Sequence, residues 1–331
     1  DLLDQAGAVP IERCIIVGSR LSYAFPFPAP ARGISRLRLD DLLIRQAMKF
    51  GASCHQGWAV ESLDPSLSGK TRLFVSAADG EPTVIDARVT VGAWGRWGRL
   101  DHQLGRGFLR DRHRRHFGFK RHYRTSSTDS GTIRLYPYSR GYLGVSPIEG
   151  GLTNICGLVH SSRIRSLRGG WEGFVTELRD ERSTLAELFD RQEPAQEEFL
   201  SSEPVIFAPR QPVQDGVILI GDAAGLIDPL TGNGMALAIQ SALLAAGTVL
   251  QRLSGGELAD AADANYEMSW STWFTDRIRW SRRAAKLLSS PGLIDAALRV
   301  TSSPVAGNLF LSRTRGRETH LERLLDAWFT V

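Results

Sequence analysis

A segment of small residues and two carboxylates, GDAAGLIDPLTGNG at 221–234, carries the clearest chemistry in this chain. It follows the apolar run VILI, which is typical of a strand buried on both faces of a parallel sheet. Asp222 therefore comes directly after a strand end, where open α/β sheets bind ligands, and its carboxylate can accept hydrogen bonds from sugar-like hydroxyls. Gly221 allows a close approach of the backbone, and Ala223 and Ala224 are small enough for close contact with a ligand.

The second half of this segment leads into a predicted helix. Pro229 stiffens the loop, and Gly232, Asn233 and Gly234 lead to a helix that begins near Met235. The first turn of a helix has unpaired N–H groups and a partial positive charge, so it favours an anion or a developing negative charge. The residues alone leave two interpretations open, a ligand site and an ordinary strand–turn–helix crossover, because the third glycine of the usual dinucleotide motif is absent.

The same segment resembles the second flavin motif of FAD-dependent oxidoreductases of the geranylgeranyl-reductase and p-hydroxybenzoate-hydroxylase-like superfamily. That motif reads roughly G-D-A-A-[GH]-x-x-x-P-x-x-G-x-G-x-x-x-A. The matching positions are Gly221, Asp222, Ala223, Ala224, Gly225, Pro229, Gly232, Gly234 and Ala238. The resemblance implies that Asp222 binds the ribityl chain of FAD and that the loop from Pro229 to Gly234, with Thr231 and Asn233, runs beside the isoalloxazine ring. It also implies that the helix from Met235 points its N-terminus at the pyrimidine edge of the flavin.

A second segment, SRLRLDDLLIRQAMKFGA, resembles the R-x-x-[LF]-D-x-x-L-x-x-x-A-x-x-x-G-A segment of the same family. The resemblance implies that Arg36 contacts the flavin or its pyrophosphate, and the alternative is a surface arginine ahead of a helix. The family's A-D-G-x-x-S-x-x-R segment is only partly present in AWGRWGRLD, where Trp94 replaces the aspartate and Gly98 replaces the serine. We expect Trp94 and Trp97 to pack in the interior, and the departure argues against a hydroxylase that uses this segment for NADPH.

The pattern of the whole chain predicts an α/β fold, an incomplete Rossmann-like FAD-binding domain interrupted by an antiparallel sheet. The expected divisions are 1–106 for the first part of the FAD-binding domain, 107–212 for the inserted substrate domain, 213–255 for the closing strand and helix, and 256–331 for a helical C-terminal region. The first flavin motif of the family, a G-x-G-x-x-G turn in an N-terminal βαβ unit, is not found. We therefore expect that unit to precede Asp1, and we expect weak or no FAD binding without it and an exposed sheet edge.

Several elements within these divisions are predicted from local patterns. Strands are expected at IIV, WAVESLD, TRLFVSAADG and PTVIDARVTVGA, with ADG as a hairpin signal, whereas the prolines of FPFPAPARG predict an extended loop. Helices are expected in LDDLLIRQAMKFGA, capped by Asp40 or Asp41, near 171–190, and over GMALAIQSALLAAGTVLQRL. No apolar run approaches the roughly 20 residues that span a bilayer.

The basic residues of the chain bear on which ligands and partners are expected. The net charge is +4 and only four basic residues are lysines, Lys49, Lys70, Lys120 and Lys286. The basic segment LRDRHRRHFGFKRHYR at 109–124 is interpreted as a solvated edge of the inserted sheet, with a docking surface for an anionic substrate, NADPH or a carrier protein as the alternative. No nucleic-acid motif accompanies it, and its histidines lack metal-ligand spacing, so neither nucleic acid nor metal is expected.

Cysteine usage and an aromatic stripe bear on location. Cys14, Cys54 and Cys156 are scattered as reduced thiols would be, and no secretory signal is present, so we expect a cytoplasmic protein.

The four aromatic residues Tyr266, Trp270, Trp273 and Phe274 share one face of a predicted helix. We expect this face to be core, and a membrane-peripheral surface for a lipid substrate is the alternative.

The resemblance implies an FAD-dependent oxidoreductase that moves hydride from a nicotinamide donor, NAD(P)H, through FAD to an apolar organic substrate under the inserted sheet. A flavin-dependent monooxygenase or halogenase is the first alternative, and a truncated remnant that binds without turnover is the second. A halogenase usually needs a lysine in its substrate tunnel, so the low lysine content favours the reductase. No catalytic acid or base can be named from the sequence.

Overall fold

A computed structural model describes residues 2–65, 70–77, 80–111, 115–125, 131–164, 169–202, 204–255 and 257–290, together with 293, 295–296, 299 and 312–314. Arg112, His113 and Arg114 of the basic segment, Ala78 and Asp79 of the predicted hairpin, and most of the predicted helical region after 290 lie outside the described residues. The chain forms two compact units, which are described separately. Unit 1 comprises Asp1–Cys54, Arg115–Val205 and Ala284–Asn308, and unit 2 comprises His55–Arg114, Ile206–Arg283 and Leu309–Val331.

The described residues form the expected mixture of strands and helices, which confirms the α/β fold. The strands are β1 (Val9–Val17), β2 (Ser22–Gly33), β3 (Ala59–Asp64), β4 (Thr71–Ser76), β5 (Pro82–Ala87), β6 (Val91–Gly92), β7 (Arg115–Thr125), β8 (Thr132–Tyr138), β9 (Gly141–Ile148), β10 (Leu152–His160), β11 (Gln192–Pro194), β12 (Leu200–Ser201), β13 (Val205–Ile206), β14 (Val213–Gln214) and β15 (Val217–Leu219). The helices are α1 (Leu2–Gln5), α2 (Arg36–Lys49), α3 (Arg99–Gln103), α4 (Ser161–Ile164), α5 (Gly170–Glu181), α6 (Ser183–Asp190), α7 (Gly234–Ser254) and α8 (Glu257–Leu288).

Unit 1 is built on a large mixed sheet with the strand order β11-β7-β10-β9-β8-β1-β2, in which β12 and β13 also pair with β7. The strands β7 to β10 form the expected antiparallel sheet, and β1 runs parallel to β8 with Arg13 opposite Thr132. One face of this sheet packs on α5 and α6, where Phe119, Leu143 and Phe174 are buried. The antiparallel ladder and the two helices thus form the core of unit 1.

The N-terminal residues differ from two expectations. Residues 1–54 belong to the unit of the large sheet, whereas the sequence grouped them with 55–106 in one domain. The proline-rich stretch predicted to be a loop is part of β2, which pairs antiparallel with β1 and places Phe25 opposite Cys14. The prolines are tolerated because β2 is the last strand in the sheet order, and an edge strand has amides that need no ladder partner.

Two helices also depart from their predicted limits. The helix α2 begins after Ser35, whose hydroxyl accepts from the Arg38 amide at 3.2 Å, so neither Asp40 nor Asp41 caps it. The helix expected near 171–190 is broken at Arg182, which has an extended backbone. The Arg182 guanidinium donates to the carbonyl oxygens of Val17, at 2.9 Å, and Pro137, so tertiary contacts hold this break.

Unit 2 contains two three-stranded sheets, β14-β15-β6 and β3-β4-β5. Val217, Ile218 and Leu219 of β15 are fully buried, as the VILI run predicted, and β15 runs parallel to β6. The helix α7 is long and apolar enough to cross a membrane by composition, which the sequence reading did not anticipate. That property is weak evidence for a membrane span, because Leu237, Leu244 and Ala245 of α7 pack in the core of the unit.

The aromatic stripe of α8 lies in this same core, as expected. Tyr266, Trp270 and Phe274 are buried, and Trp273 is partly buried against them. The hydroxyl of Tyr266 donates to the carbonyl oxygen of Leu219 at 2.7 Å, which ties α8 to the end of β15. These aromatic side chains therefore stabilise the unit from within.

Candidate functional site

The first half of the motif forms a tight turn between β15 and the core of unit 2. Gly221 has φ of +57°, and a Cβ placed on it would lie 3.2 Å from the Ala238 methyl, so both conformation and space favour glycine. The Gly221 amide donates to the buried Ser241 hydroxyl of α7 at 2.8 Å. Ala223 and Ala224 are fully buried, so their methyl groups serve packing, and a backbone contact with a ligand remains a prediction.

The second half of the motif is organised by Asp228, a residue that the sequence reading did not single out. Its carboxylate accepts from the Leu230 amide at 3.1 Å, and its main-chain oxygen accepts from the Thr231 hydroxyl at 3.1 Å. Pro229 begins a short 3-10 turn that ends at Gly232, where φ is +66°. The loop is thereby fixed ahead of α7, which begins at Gly234, one residue before the expected Met235.

The N-terminus of α7 has no side-chain cap. Asn233 occupies the capping position, but its amide nitrogen donates to the Thr314 carbonyl oxygen at 2.8 Å. A Cβ placed on Gly232 or Gly234 would meet no described atom within 4 Å, so there is space in front of this helix end. Uncapped first-turn amides beside open space suit an anionic or electron-rich ring edge, so the residues present fit a flavin.

Asp222 lies at the strand end, where its main-chain oxygen is held by an arginine. The Arg210 guanidinium donates to this oxygen at 2.6 Å and stacks on the Phe108 ring, with 3.9 Å to the ring centroid. Burial, with a smaller effect of the neighbouring Arg106, lowers the pKa of Arg210 to about 10, although Asp101 and Asp222 act in the opposite direction. Asp222 is therefore part of a compact group of charges.

A second arginine holds the next peptide of the same turn. Arg106 is only 4% exposed and donates to the Ala223 carbonyl oxygen at 2.8 Å and to the Gln211 carbonyl oxygen at 2.9 Å. It also pairs with the fully buried Asp101 at 2.7 Å. We call Arg106 and Arg210 the arginine clamp, since they fix two successive carbonyl groups of the motif.

The buried Asp101 also explains the departure from the family's A-D-G-x-x-S-x-x-R pattern. Its carboxylate accepts from the Trp94 indole and from the Gly98 amide, both at 2.8 Å. Trp94 stands where the pattern has aspartate, and Asp101 stands where it has arginine. The carboxylate of this segment therefore stands at the last position of the pattern instead of the second. This substitution is the sequence feature from which Asp101 could have been predicted.

Trp94 and Trp97, which were predicted to pack in the interior, both contact neighbouring residues in unit 2. Trp94 lies so close to Gly92 that a Cβ at Gly92 would overlap its ring. Trp97 makes an edge contact with His102, at 6.1 Å between ring centroids. Both rings thus pack around the segment that carries Asp101.

Arg36 and the motif lie in different units. Arg36 is exposed at the first position of α2 and pairs with Asp40 at 3.0 Å. Residues 221–235 belong to unit 2, so a contact between Arg36 and a flavin stays a prediction. In the structure, Arg36 instead forms an exposed ion pair within the first turns of α2.

The basic segment is less solvated than expected where it is described. Arg121 is buried, pairs with Glu172 at 2.8 Å, and donates to the carbonyl oxygens of Gln196 and Glu197. Lys120 and His122 are half-buried on the same strand. Among the residues that the structure describes, no cluster suited to a metal ion is found.

Comparison with known proteins supports the flavin interpretation. A family model described as squalene epoxidase matches residues 186–282, which include the motif. A 1H-pyrrole-2-carbonyl-[peptidyl-carrier protein] chlorinase of Pseudomonas fluorescens is 25% identical over 71% of this chain and 54% of that protein. Digeranylgeranylglycerophospholipid reductase 2 of Methanothermobacter thermautotrophicus is 29% identical over 52% of this chain and 43% of that protein. The chain thus spans about half the length of these curated relatives.

The solved structures that resemble this chain also include halogenases and reductase-like proteins. CmlS, a flavin-dependent halogenase, matches 99% of this chain and 66% of its own with a TM-score of 0.73 and 19% identity. A geranylgeranyl bacteriochlorophyll reductase-like protein of Thermoplasma acidophilum matches 98% of this chain and 87% of its own with a TM-score of 0.74 and 18% identity. This chain therefore has the fold of flavin-dependent halogenases and reductases, and its resemblance to the FAD-dependent oxidoreductases of the geranylgeranyl-reductase and p-hydroxybenzoate-hydroxylase-like superfamily is confirmed.

Proposed function

We propose that this chain forms part of an FAD-dependent oxidoreductase whose flavin binds along residues 221–235. The observation that carries the proposal is the junction of β15 and α7. There, Asp222 lies in a short 3-10 turn that follows the buried strand β15, and an uncapped helix begins beside open space at Gly234. The bound FAD would supply the hydride and electron transfer of the reaction.

The residues of this junction have separate tasks in the proposal. The Asp222 carboxylate accepts hydrogen bonds from the ribityl hydroxyl groups. Gly232 and Gly234 keep the space beside the loop free of side chains. The first-turn amides of α7 favour negative charge on the pyrimidine edge of the ring, because they have neither an intrahelical partner nor a side-chain cap.

The leading candidate is a reductase of the geranylgeranyl-reductase type. NAD(P)H would donate the hydride, and an apolar organic substrate would accept it. Short matches to digeranylgeranylglycerophospholipid reductases support this choice, including one of 41% identity over 58 residues. A cytoplasmic location belongs to the same proposal, since the three cysteines are widely scattered in the sequence, as reduced thiols would be.

The second candidate is a halogenase or another flavin-dependent monooxygenase. The match to the chlorinase covers more of this chain than the match to digeranylgeranylglycerophospholipid reductase 2 does, and the name of the chlorinase specifies an acyl group on a peptidyl-carrier protein. For this candidate we propose a carrier protein as partner. A binding remnant without turnover is the third candidate.

Visible spectroscopy tests the common part of these candidates. The chain is titrated with FAD alone, and then as a fusion to a βαβ unit that carries the G-x-G-x-x-G turn. We expect a perturbed flavin spectrum, at least in the fusion. A fusion that folds, as shown by a cooperative melt, and leaves the FAD spectrum unchanged would refute both enzyme candidates.

A second measurement separates the reductase from the oxygen-dependent enzymes. The flavin-loaded protein is reduced with NADPH or NADH and mixed rapidly with oxygenated buffer, with and without chloride or bromide. Simple return of the oxidised spectrum is expected for the reductase. A transient absorbing species before reoxidation, followed by halogenation of an added electron-rich aromatic compound, would favour the halogenase.

A further inference from the structure

Arg277 of α8 is a buried cation that lies against the start of α7. Only 8% of this residue is exposed. Its Nη1 atom donates to Gln240 Oε1, in the second turn of α7, at 2.7 Å, and its Nε atom donates to the Thr314 carbonyl oxygen at 3.4 Å. Asn233, at the capping position of α7, donates to the same Thr314 oxygen at 2.8 Å. The guanidinium and the capping residue of α7 thus share an acceptor oxygen.

The positive charge of Arg277 has no carboxylate partner in the part of the chain that the structure describes. Its hydrogen bonds there go to neutral oxygen atoms, and burial alone lowers its pKa, to about 10. Because this pKa is still well above neutral pH, the guanidinium remains charged. The Phe274 ring, with its centroid 5.5 Å from the guanidinium carbon, offsets only a part of the cost of burying this charge.

The charge of Arg277 and the N-terminus of α7 have the same sign. The first-turn amides of α7 carry a partial positive charge, no side chain caps them, and the first turn contains no acidic residue. A buried cation beside such a helix end is unfavourable by itself, and a negative charge at the helix end compensates both groups. The arrangement is therefore suited to a site where negative charge develops.

We propose that Arg277 sets the electrostatic potential of the flavin site, where its charge adds to that of the α7 N-terminus and favours the negative charge that reduction places on the pyrimidine edge of FAD. This inference rests on the proposed function, because it requires the flavin to bind beside α7. Charges near the ring are one of the means by which a protein tunes a flavin. Arg277 acts through the field at the helix end and is thus a positioning residue, whose effect extends beyond direct contact because a buried charge is poorly screened.

The midpoint potential of bound FAD reports this effect directly. The potential rises when the protein binds reduced FAD more tightly than oxidised FAD. Arg277→Met keeps a long side chain and removes the charge, so the preference for reduced FAD should fall about 10-fold. This change corresponds to a potential that is about 30 mV lower. It is measured by reducing the FAD-loaded full chain, in the form that perturbs the flavin spectrum, together with a dye of known potential.

Two further variants show whether the charge is the cause. Arg277→Lys keeps the positive charge and loses the planar fork, so it should retain most of the parent's potential. Arg279→Met removes an exposed cation of the same helix, which pairs with Asp276 at 3.4 Å, and it should keep the parent's potential. The proposal is overturned if Arg277→Met has the parent's potential or if Arg277→Lys lowers the potential as far as Arg277→Met does.

A thermal melt without FAD separates this role from a structural one. In Arg277→Met, the Thr314 oxygen keeps its bond from Asn233, and the half-buried Gln240 side chain can turn to water. Replacing an unpaired buried charge by an apolar side chain is often neutral or stabilising. We therefore expect the FAD-free variant to melt at the parent's temperature or higher, although its bound FAD has a lower potential. A clearly lower melting temperature would identify Arg277 as a structural residue and overturn the proposal.

The outcomes also distinguish this inference from the proposed function. FAD that binds to the parent and to Arg277→Met with the same potential would refute the role of Arg277 and leave the flavin site intact. A protein that never perturbs the FAD spectrum would refute both. A lower potential in Arg277→Met, with the melting temperature retained, would support both.

Discussion

The guanidinium of Arg210 lies 2.6 Å from the main-chain carbonyl oxygen of Asp222. Arg106 donates to the next carbonyl, that of Ala223, at 2.8 Å. Two successive peptide groups of the predicted flavin turn are thereby held by charge-assisted hydrogen bonds, which are stronger than neutral ones. Because rotation of either peptide would break such a bond, the arginine clamp fixes the backbone from which the Asp222 carboxylate projects.

The clamp predicts a specific effect of Arg210→Lys on FAD binding. Lysine keeps the charge but loses the planar fork and the stacking on Phe108. We expect FAD affinity, measured by fluorescence titration, to fall about 10-fold or more, while the protein still unfolds cooperatively. Arg252→Lys is the matched control, since Arg252 also donates to a carbonyl, that of Gly216, but is remote from the motif in sequence. Equal effects of the two variants on affinity would show that the clamp has no special role.

Asp222 itself provides the second prediction. Asp222→Asn keeps the size of the side chain and removes its charge, so the ribityl hydroxyls lose a charged acceptor, a bond worth roughly 1.5–3 kcal/mol. We expect FAD binding to weaken by about 10-fold or more in Asp222→Asn and further in Asp222→Ala. Asp215→Asn, in the exposed turn before β15, should bind FAD as the parent does. Unchanged affinity in Asp222→Ala would remove the assignment of Asp222.

The two glycines before and at the start of α7 predict opposite outcomes. Gly232 has φ of +66°, so Gly232→Ala should cost about 1–2 kcal/mol of unfolding free energy. Gly234 has ordinary backbone angles and open space around its Cβ position, so Gly234→Leu should leave the melting temperature nearly unchanged. The leucine would instead fill the space proposed for the flavin and abolish FAD binding. If Gly234→Leu binds FAD normally, the ring does not lie there.

Much of the motif could be predicted because its signals are local. The buried run before Asp222 predicted β15, and the alanine-rich run after Gly234 predicted α7 within one residue of its start. Both depend on contiguous patterns of burial and helix propensity. The role of Asp228 was missed because an aspartate that accepts from the amide two residues on looks like any other loop residue in a sequence.

The rest of the site depends on contacts between residues far apart in the chain. The bond from Arg106 to Ala223 joins positions that are 117 residues apart, and no local pattern encodes it. The same holds for β1, which pairs with β8 across a similar separation and draws the N-terminal strands into the large sheet. The break at Arg182 also arises from a distant partner, the carbonyl oxygen of Val17. Sequence patterns predict elements, whereas these contacts arise only when the elements assemble.

A pH-dependent contribution to stability is predicted at the start of α2. The Glu149 carboxylate accepts from the Ser35 amide at 2.8 Å. Burial alone would raise the pKa of Glu149, but the hydrogen bonds with Ser35 outweigh it and hold the pKa below the ordinary value of 4.5. Since the folded pKa is lower than the unfolded one, this contribution is present above about pH 4.5 and is lost as pH falls through the folded value.

Chemical denaturation at several pH values checks this contribution. The parent should lose unfolding free energy as the pH falls below about 4.5, and Glu149→Gln should show a shallower loss over the same range. Glu267→Gln, which changes an exposed carboxylate of α8, should follow the parent curve. If the parent and Glu149→Gln lose unfolding free energy in parallel as the pH falls, the Ser35 amide does not bind the charged carboxylate of Glu149 more strongly than a neutral side chain.

The last prediction concerns Gly225, the fifth position of the flavin motif. A Cβ placed on Gly225 would overlap the buried ring of Trp270, so the glycine here accommodates a core tryptophan. Gly225→Ala should therefore destabilise unit 2 by about 1–3 kcal/mol through overpacking. Trp270→Leu creates a cavity and is destabilising by itself. In the double variant, however, the smaller leucine leaves room for the new methyl group, so the two costs should be less than additive.

A double-mutant cycle of unfolding free energies measures this coupling. We expect the double variant to be at least about 1 kcal/mol more stable than the sum of the single effects predicts. Gly234→Ala combined with Trp270→Leu is the control pair, because a Cβ on Gly234 meets nothing within 4 Å, and it should be additive. Additive costs in the Gly225 pair would mean that this glycine is required for a reason other than Trp270, such as close contact with the cofactor.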